Sequence, residues 1–315
     1  MSAPSDGSAC LLCRGPQVRR YRLGMRWLAY CRACQLGQLT PLPDEEELAT
    51  LYASSQYFSG TDRVGYADYA SDAPQFARTF RTKVQTLLRY GPVHDLMEIG
   101  CGPGYFLHQA LAAGVPRAVG VDRNRWAVNE ARQSGLEVYL GSLEAVPRER
   151  TFDAAVMLDL LEHITQPVAF LADVRARLRP EGRILITTPN IRSLLARGSG
   201  RRWVSIKVPE HVYYYSPRSI RRLLESAGFA VLSVRGAGQY VTVAFLLSRL
   251  HRLAPRLTGV LRVGAHTLGL AQRVLFVTNG SIDVVARARP ATSAGGFART
   301  ALPGASGAGD DRIPR

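Results

Sequence analysis

The chain has 315 residues, of which 46% are apolar, enough for one α/β domain with additions or for two small globular domains. It has no run of eighteen apolar residues, and its N-terminus lacks the basic and apolar regions of a signal peptide, so we expect a cytoplasmic protein without a membrane-spanning helix. The formal net charge of +15 is almost entirely arginine, a bias that GC-rich coding also produces, and on charge alone we do not expect nucleic acid as the partner.

Four of the five cysteines form two pairs near the N-terminus, in "CLLC" and "CRAC". The spacing is C-x2-C, seventeen residues, then C-x2-C, and two such pairs can complete a tetrahedral thiolate site. The intervening "RRYRLGMRWLAY" alternates like the hairpin of a zinc ribbon. We therefore predict a zinc-ribbon-like module with a structural zinc at residues 1–40, with reduced, unligated thiols as the alternative. The predicted ligands are Cys10, Cys13, Cys31 and Cys34.

Residues 41–84 are predicted to be a helical lid or linker. Acidic residues follow Pro43 and favour the start of a helix, and a polar, tyrosine-rich segment comes next. This segment is a candidate cover for a ligand site, with surface or packing tyrosines as the alternative. The candidate residues are Tyr57, Tyr66 and Tyr69.

Residues 85–289 alternate between strand-like and helix-like segments. Apolar runs such as "HDLMEIG", "RAVGVDRN" and "RILITTPN" predict strands, and the segments between them predict helices. One predicted helix has Ser216 as its N-cap, Pro217 in its first position and Gly228 as its stop. Seven strands in this arrangement predict an α/β fold with a doubly wound, mostly parallel, Rossmann-like sheet.

The stretch "MEIGCGPGYF" places Gly100, Gly102 and Gly104 between a strand and a helix. A dinucleotide fingerprint would have a further glycine three residues after Gly102, and a P-loop would have a lysine, so neither is predicted. Glu98 precedes the first glycine by two residues, where a carboxylate would repel a pyrophosphate but suit a cation. Asp122 ends the next strand, where α/β nucleotide sites place the carboxylate that binds the ribose hydroxyls. The expected ligand therefore has a ribose, a positive charge and no phosphate.

These motifs, with "YLGSLEAVP", "FDAAVMLDLLEHITQP" and "EHVYYYSPRSIRRLLESAGF" in the same order, resemble those of class I S-adenosylmethionine-dependent methyltransferases. The resemblance covers residues 85–235 and 281–289 and implies S-adenosyl-L-methionine as the cofactor. Many members of that family have an acidic residue where Ser142 stands, so Glu144 is a candidate substitute at the adenine. The implied cofactor-binding residues are Glu98, Gly100, Cys101, Gly102, Gly104, Asp122, Ser142, Leu143 and Leu158.

Methyl transfer requires the acceptor to be aligned and water to be excluded, and a hydroxyl acceptor also needs a base. Asp159, Glu162 and His163 follow the fourth strand of this domain, at the edge where such sheets bind ligands. This group of residues resembles one that is used by methyltransferases acting on oxygen atoms of quinone precursors. His211 is a second candidate, expected to face the acceptor pocket from the opposite side. The alternatives are structural: the first group would cap a loop and His211 would position the next helix.

Residues 240–277 form an apolar, basic insertion without acidic residues between the last two predicted strands. An amphipathic helix with arginines on its polar face can lie in a membrane interface, so the insertion predicts peripheral contact with the inner membrane face. A helical cover or a dimer surface is the alternative. Asn279-Gly280, between two alternating runs, also predicts a hairpin. The tail at 290–315 is rich in glycine, alanine, proline and serine and is predicted to be disordered.

The sequence therefore predicts a methyltransferase that acts on an oxygen of a small molecule or saccharide, in lipid-linked form if the insertion touches a membrane. An RNA methyltransferase, holding phosphates with the ribbon and the arginines, is the alternative. Against it, the chain has "LDLLEH" where methyltransferases of base amines carry an N/D-P-P-Y tetrad. A binding module without catalysis is a third reading, and the sequence predicts no oligomeric state.

Overall fold

The computed structural model describes residues 5–44, 46–48, 73–250 and 255–290. These residues form a small antiparallel sheet and a seven-stranded sheet. Among them, no helix is long and apolar enough to cross a membrane. The three candidate lid tyrosines and the tail after Pro290 lie outside the described residues.

The small sheet begins with four antiparallel strands that carry the cysteine pairs at their ends. The predicted hairpin is present: β2 and β3 pair along their length and turn at Gly24, which has a φ of +66°. The four strands are β1 (Ser5–Ala9), β2 (Pro16–Leu23), β3 (Arg26–Tyr30) and β4 (Gly37–Thr40).

The large sheet follows helix α1 (Ala73–Leu88). Its strands are β5 (Asp95–Ile99), β6 (Arg117–Asp122), β7 (Glu137–Leu140), β8 (Phe152–Leu158), β9 (Leu178–Pro189), β11 (Phe229–Thr242) and β12 (Val274–Ala288). Their spatial order is β11-β12-β9-β8-β5-β6-β7. The five strands from β9 to β7 are parallel, and β12 is antiparallel to both of its neighbours. The predicted doubly wound, mostly parallel seven-stranded sheet is confirmed.

Helices cover both faces of this sheet because its central strands are apolar on both sides. All five residues of β5 are buried, and side chains alternate between the two faces. Leu96 packs in the same cluster as α1, α2 and α3, whereas Met97 packs with α4 and α6. The helices are α2 (Tyr105–Ala112), α3 (Arg125–Gln133), α4 (Pro167–Ala176), α5 (Leu194–Ser199) and α6 (Pro217–Ser226). The predicted cap of α6 is present: the Ser216 hydroxyl accepts the Ser219 N–H at 3.1 Å.

A tenth strand joins the two parts of the molecule. β10 (Tyr213–Tyr214) pairs antiparallel with β4 and completes the small sheet as its fifth strand. The Leu39 N–H also donates to the carbonyl of Val212 at 2.9 Å. The sequence analysis did not predict this pairing, because a two-residue strand has no periodicity of its own. The N-terminal module is therefore continuous with a segment that lies beside the candidate site.

The insertion forms an arm made of two strand extensions and two helices. β11 and β12 stay paired from Gly238 with Thr278 to Thr242 with Val274, beyond Pro189 at the end of β9. The tip carries α7 (Val243–Leu250) and α8 (Pro255–Thr267). The predicted hairpin at Asn279-Gly280 is wrong, since both residues lie within β12. Residues 279–281 form a bulge opposite Ala237, and that bulge uses the positive φ of Gly280, +79°.

Candidate active site

The turn between β5 and α2 depends on glycine. Gly100, Gly102 and Gly104 have φ values of +74°, +52° and +84°, in the left-handed region that other residues rarely adopt. A Cβ on Gly104 would lie 2.2 Å from the side chain of Leu136, whereas a Cβ on Gly102 would meet nothing within 4 Å. Gly104 therefore serves packing, and Gly102 leaves space open above the turn.

Asp122, at the end of β6, holds this turn in place. One carboxylate oxygen accepts the N–H of Gly102 and the other accepts the N–H of Asn124, both at 2.8 Å. Burial raises the pKa of this carboxyl, and the two backbone donors oppose that rise. Each oxygen keeps a second lone pair, so the carboxylate can also accept hydrogen bonds from a pair of hydroxyl groups.

Glu98 is buried near the middle of the large sheet with one oxygen unpaired. Its side chain is 3% exposed, and within the described part of the chain its Oε2 has no hydrogen-bond donor. Burial, and then the charge of Asp122, raise its pKa well above the ordinary value. An unpaired buried carboxylate is costly, and a cationic ligand would remove that cost.

A cavity of about 690 Å³ brings these residues together, within the size range of small-molecule sites. Eight of the nine predicted cofactor-binding residues line it, and the ninth, Gly104, packs behind the turn. Of the four predicted catalytic residues, Asp159 and His163 line the cavity. The eight lining residues are Glu98, Gly100, Cys101, Gly102, Asp122, Ser142, Leu143 and Leu158.

A loop after β7 forms one end of the cavity. The Ser142 hydroxyl donates to the carboxylate of Glu144, and this hydrogen bond lowers the pKa of Glu144. Both side chains line the cavity, so an acidic side chain is present there two residues after Ser142.

Arg177 fixes this loop from behind, although the sequence analysis did not select it. Its buried guanidinium donates to the carbonyls of Val146 at 2.9 Å, Pro147 at 3.0 Å and Leu143 at 3.4 Å. Nothing in "RARLRP" distinguishes this arginine from its neighbours, so the sequence held no signal for its role.

Asp159 lies at the other end of the cavity, together with two polar residues that the sequence analysis did not select, Lys83 and Thr187. Asp159 has a φ of +51°, and its N–H donates to the carbonyl of Thr187 at 2.9 Å. Burial raises its pKa to about 6, while the charges of Lys83 and Lys207 oppose the rise. Lys83, from α1, pairs with Asp283 of β12, which also accepts the Thr187 hydroxyl at 2.6 Å. Lys83 and Thr187 both line the cavity.

Glu162 and His211 are not among the residues that line the cavity, whereas His211 was expected to face the acceptor pocket. The rings of His163 and His211 are 4.7 Å apart, edge to face. The Val212 N–H donates to the carbonyl of Glu162 at 2.9 Å, which ties the histidine segment to the turn after β8. Burial lowers the pKa of His163 to about 3, so its imidazole is neutral.

These three side chains can hold a divalent cation. Their ligand atoms lie within 4.8 Å of one another. Within the described chain, Glu162 Oε1 and His211 Nδ1 have no hydrogen-bond partner, and each of these two atoms can bind a metal. Carboxylate and imidazole are ordinary zinc ligands.

The four cysteines of the small sheet form two knuckles with the same backbone geometry. In each, the residue after the second cysteine has a positive φ, +57° at Arg14 and +60° at Gln35. In each, that residue's N–H donates to the carbonyl of the first cysteine, at 2.9 and 2.7 Å. The four sulfur atoms lie within 4.8 Å of one another, which fits a tetrahedral metal ion.

Comparison with known proteins places the large sheet in a family. The family model described as a methyltransferase domain matches residues 69–234, just over half of the chain. The uncharacterized 37.1 kDa protein in transposon TN4556 of Streptomyces fradiae is 30% identical over 188 residues, 55% of this chain and 54% of that protein.

Two further relatives have named activities. The mitochondrial ubiquinone biosynthesis O-methyltransferase of Schizosaccharomyces pombe is 29% identical over 130 residues, 39% of this chain and 45% of that protein. The tRNA U34 carboxymethyltransferase of Idiomarina loihiensis is 24% identical over 181 residues, 45% of this chain and 56% of that protein. This chain spans about half the length of the relatives it matches. It belongs to the methyltransferase domain family, with the sheet of class I S-adenosylmethionine-dependent methyltransferases.

Proposed function

We propose that the protein transfers the methyl group of S-adenosylmethionine to an oxygen atom of a small-molecule or saccharide acceptor. The observation that carries the cofactor is the unpaired oxygen of Glu98 in the wall that also presents Asp122. One carboxylate suits the positive charge of the cofactor and the other suits its ribose hydroxyls.

Each part of the cofactor has a matching group in the cavity. Glu98 would hold the amino-acid end, and Asp122 would hold the ribose. Glu144, positioned by Ser142, would accept a hydrogen bond from the adenine amino group, with Leu143 against the ring. Bound S-adenosylmethionine supplies a methyl group on a sulfonium, which is an excellent leaving group.

Asp159 is the proposed base. It lines the cavity one residue beyond Leu158, which would lie beside the sulfonium end of the cofactor. The Asp159 carboxylate would accept the proton that an acceptor hydroxyl loses when it is methylated. Such proton removal contributes about 10²- to 10⁴-fold to a rate. Lys83 and Thr187 line the same end and can orient the acceptor oxygen.

The cysteine cluster is proposed to hold one structural zinc. Four thiolates leave no open coordination position, so this metal would have no part in the chemistry. Its effect would be to hold β4 in place, and β4 pairs with β10 next to His211.

The proposal is tested by calorimetric titration with S-adenosylhomocysteine on protein whose metal content is measured. We expect one bound ligand per chain and one zinc per chain, or two if the Glu162 cluster is also filled. Absence of binding would refute the methyltransferase proposal and favour a binding module without catalysis. Transfer of labelled methyl groups to a panel of phenols and sugars then tests the acceptor class.

Transfer to RNA is the second candidate function. The net charge of +15 and the likeness to a tRNA U34 carboxymethyltransferase favour it. RNA affinity should fall steeply as salt rises because bound phosphates release counterions, whereas transfer to a neutral small acceptor should respond little. Methyl transfer to tRNA with a steep salt dependence would replace the small-molecule proposal.

A further inference from the structure

The exposed apolar side chains are concentrated at one edge of the molecule. Of the fifteen large apolar residues that are exposed among the described residues, ten lie in 192–208 or 261–276. Leu194 is 82% exposed, Val204 76% and Leu268 71%. We call these two segments together the carboxyl-edge surface.

Both segments lie where the parallel strands end. Residues 192–208 follow Pro189 at the carboxyl end of β9, and the arm that carries 261–276 extends beyond the same point. They touch at their bases, since a Cβ on Gly280 would meet the Ser193 hydroxyl at 2.9 Å. Gly238, Gln239 and Asn279, at the base of the arm, line the cavity. The carboxyl-edge surface therefore borders the candidate active site.

The charge of this surface has a single sign. The two segments contain six arginines, all exposed, and no aspartate or glutamate. The arginines are Arg192, Arg197, Arg201, Arg202, Arg262 and Arg273. Exposed aliphatic side chains interspersed with arginine match an anionic lipid surface, which accepts apolar groups beneath a layer of negative charge.

Single-stranded RNA and a second copy of this chain fit the carboxyl-edge surface less well than a membrane does. Nine of the ten exposed apolar residues are aliphatic and one, Phe276, is aromatic, whereas single-stranded RNA is bound by stacking on aromatic rings. A symmetric dimer would bring arginines of one copy against those of the other, because a twofold interface uses the same patch twice. Like charges across an interface oppose association.

We propose that the carboxyl-edge surface docks on an anionic membrane and presents the cavity to acceptors held in the lipid. The docking does not depend on methyl transfer, and only the route of the acceptor rests on the proposed function. The arrangement extends the expected contact of residues 240–277 to α5 and the loop that follows it.

Co-sedimentation of the full chain with vesicles tests this proposal. The vesicles are phosphatidylcholine alone or phosphatidylcholine mixed with phosphatidylglycerol. We expect pelleting only with the mixed vesicles. The double variants Leu194→Ser with Leu268→Ser, and Arg262→Glu with Arg273→Glu, should each lower the partition coefficient by about tenfold or more.

The controls are Leu111→Ser and Arg89→Glu. Both side chains are exposed at the opposite edge, in or just after helices that lead into the amino ends of β6 and β5. Both control variants should pellet with the mixed vesicles as the wild type does. All variants should bind S-adenosylhomocysteine as the wild type does, which separates a failure of docking from a failure of the active site or of folding.

Wild-type protein that stays in the supernatant with mixed vesicles would overturn the proposal, as would double variants that pellet normally. If the wild type binds tRNA but not vesicles, and both double variants lose the tRNA binding, the surface would be assigned to RNA. A dimer in light scattering that Leu194→Ser with Leu268→Ser turns into a monomer, again without vesicle binding, would assign it to a second copy.

Discussion

Glu98 and Asp122 line the same cavity, and burial raises the pKa of both carboxyl groups. The structural roles of the two side chains differ. Asp122 holds the Gly102 turn, whereas Glu98 keeps an oxygen free. A substitution at Asp122 therefore alters the turn and the ligand contacts together, and the two effects need separate variants.

Asp122→Ala is expected to abolish measurable cofactor binding. A hydrogen bond to a charged group contributes about 1.5–3 kcal/mol, so losing the ribose contacts weakens binding by about a hundredfold or more. Asp122→Asn keeps one hydrogen-bond acceptor for the turn and should therefore lose less cofactor affinity than Asp122→Ala. Titration with S-adenosylhomocysteine measures both, with Glu149→Ala, an exposed carboxylate, as the control. Unchanged affinity in Asp122→Ala would remove this residue from the site.

Affinity for the cofactor is expected to fall as pH is lowered. The raised pKa values mean that both carboxyls take up protons at a higher pH than ordinary carboxyls, and the neutral forms attract a cation less. In cofactor-free protein these groups contribute stability at low pH that is lost as pH rises through the raised values. Stabilisation by ligand should therefore grow as pH rises above the range in which ordinary carboxyl groups titrate. Glu98→Gln should flatten the trend, and an equal slope in that variant would contradict the assignment.

Arg177→Met is expected to destabilise the loop at the proposed adenine end of the cavity. The effect on the ligand would be indirect, because Arg177 lies behind this loop. Three carbonyls would lose a buried donor, at a cost of about 1–3 kcal/mol each if they stay dry. Melting temperature and cofactor affinity should both fall. Arg218→Met, at an exposed position on α6, is the control and should change neither. A variant that melts lower but binds the cofactor normally would make Arg177 a stability residue only.

At the scale of elements, β10 connects the cysteine module to the turn that carries His163. β4 pairs with β10, the Val212 N–H donates to Glu162, and the Tyr213 hydroxyl donates to the carbonyl of Thr165 at 3.2 Å. Thr165 lines the cavity. Hydrogen bonds between neighbouring elements therefore connect the cysteine module to the cavity wall.

Cys31→Ser is expected to release the zinc and to lower the melting temperature, because structural zinc contributes folding free energy directly. Met25→Ser is the matched control, since Met25 is 95% exposed at the hairpin of the same module. Metal analysis and thermal unfolding are the measurements. Wild-type protein without zinc would end this hypothesis, and a variant that loses zinc but melts normally would show that the metal does not hold the module.

For the whole molecule, the strands of the large sheet could be predicted because buried parallel strands read as continuous apolar runs. The position of Asp122 at the cavity could be predicted because the residue ends a strand of the sheet. Arg177 could not, since its partners are about thirty residues away in the sequence. The Lys83–Asp283 pair spans 200 residues and has no local signal. Asn279-Gly280 does mark an irregular position in the backbone, but that position is a bulge within β12 and not a hairpin turn.

The pairing of β4 with β10 also has a consequence for how the protein is made. The cysteines emerge from the ribosome before the fifth strand of their sheet, which is encoded more than 170 residues after β4, at Tyr213–Tyr214. Until then β4 is an open edge, the kind of strand that pairs with foreign chains. Early capture of zinc would hold the four N-terminal strands together while the nascent chain waits for its last partner, so zinc starvation during synthesis should produce aggregated protein rather than an apo enzyme.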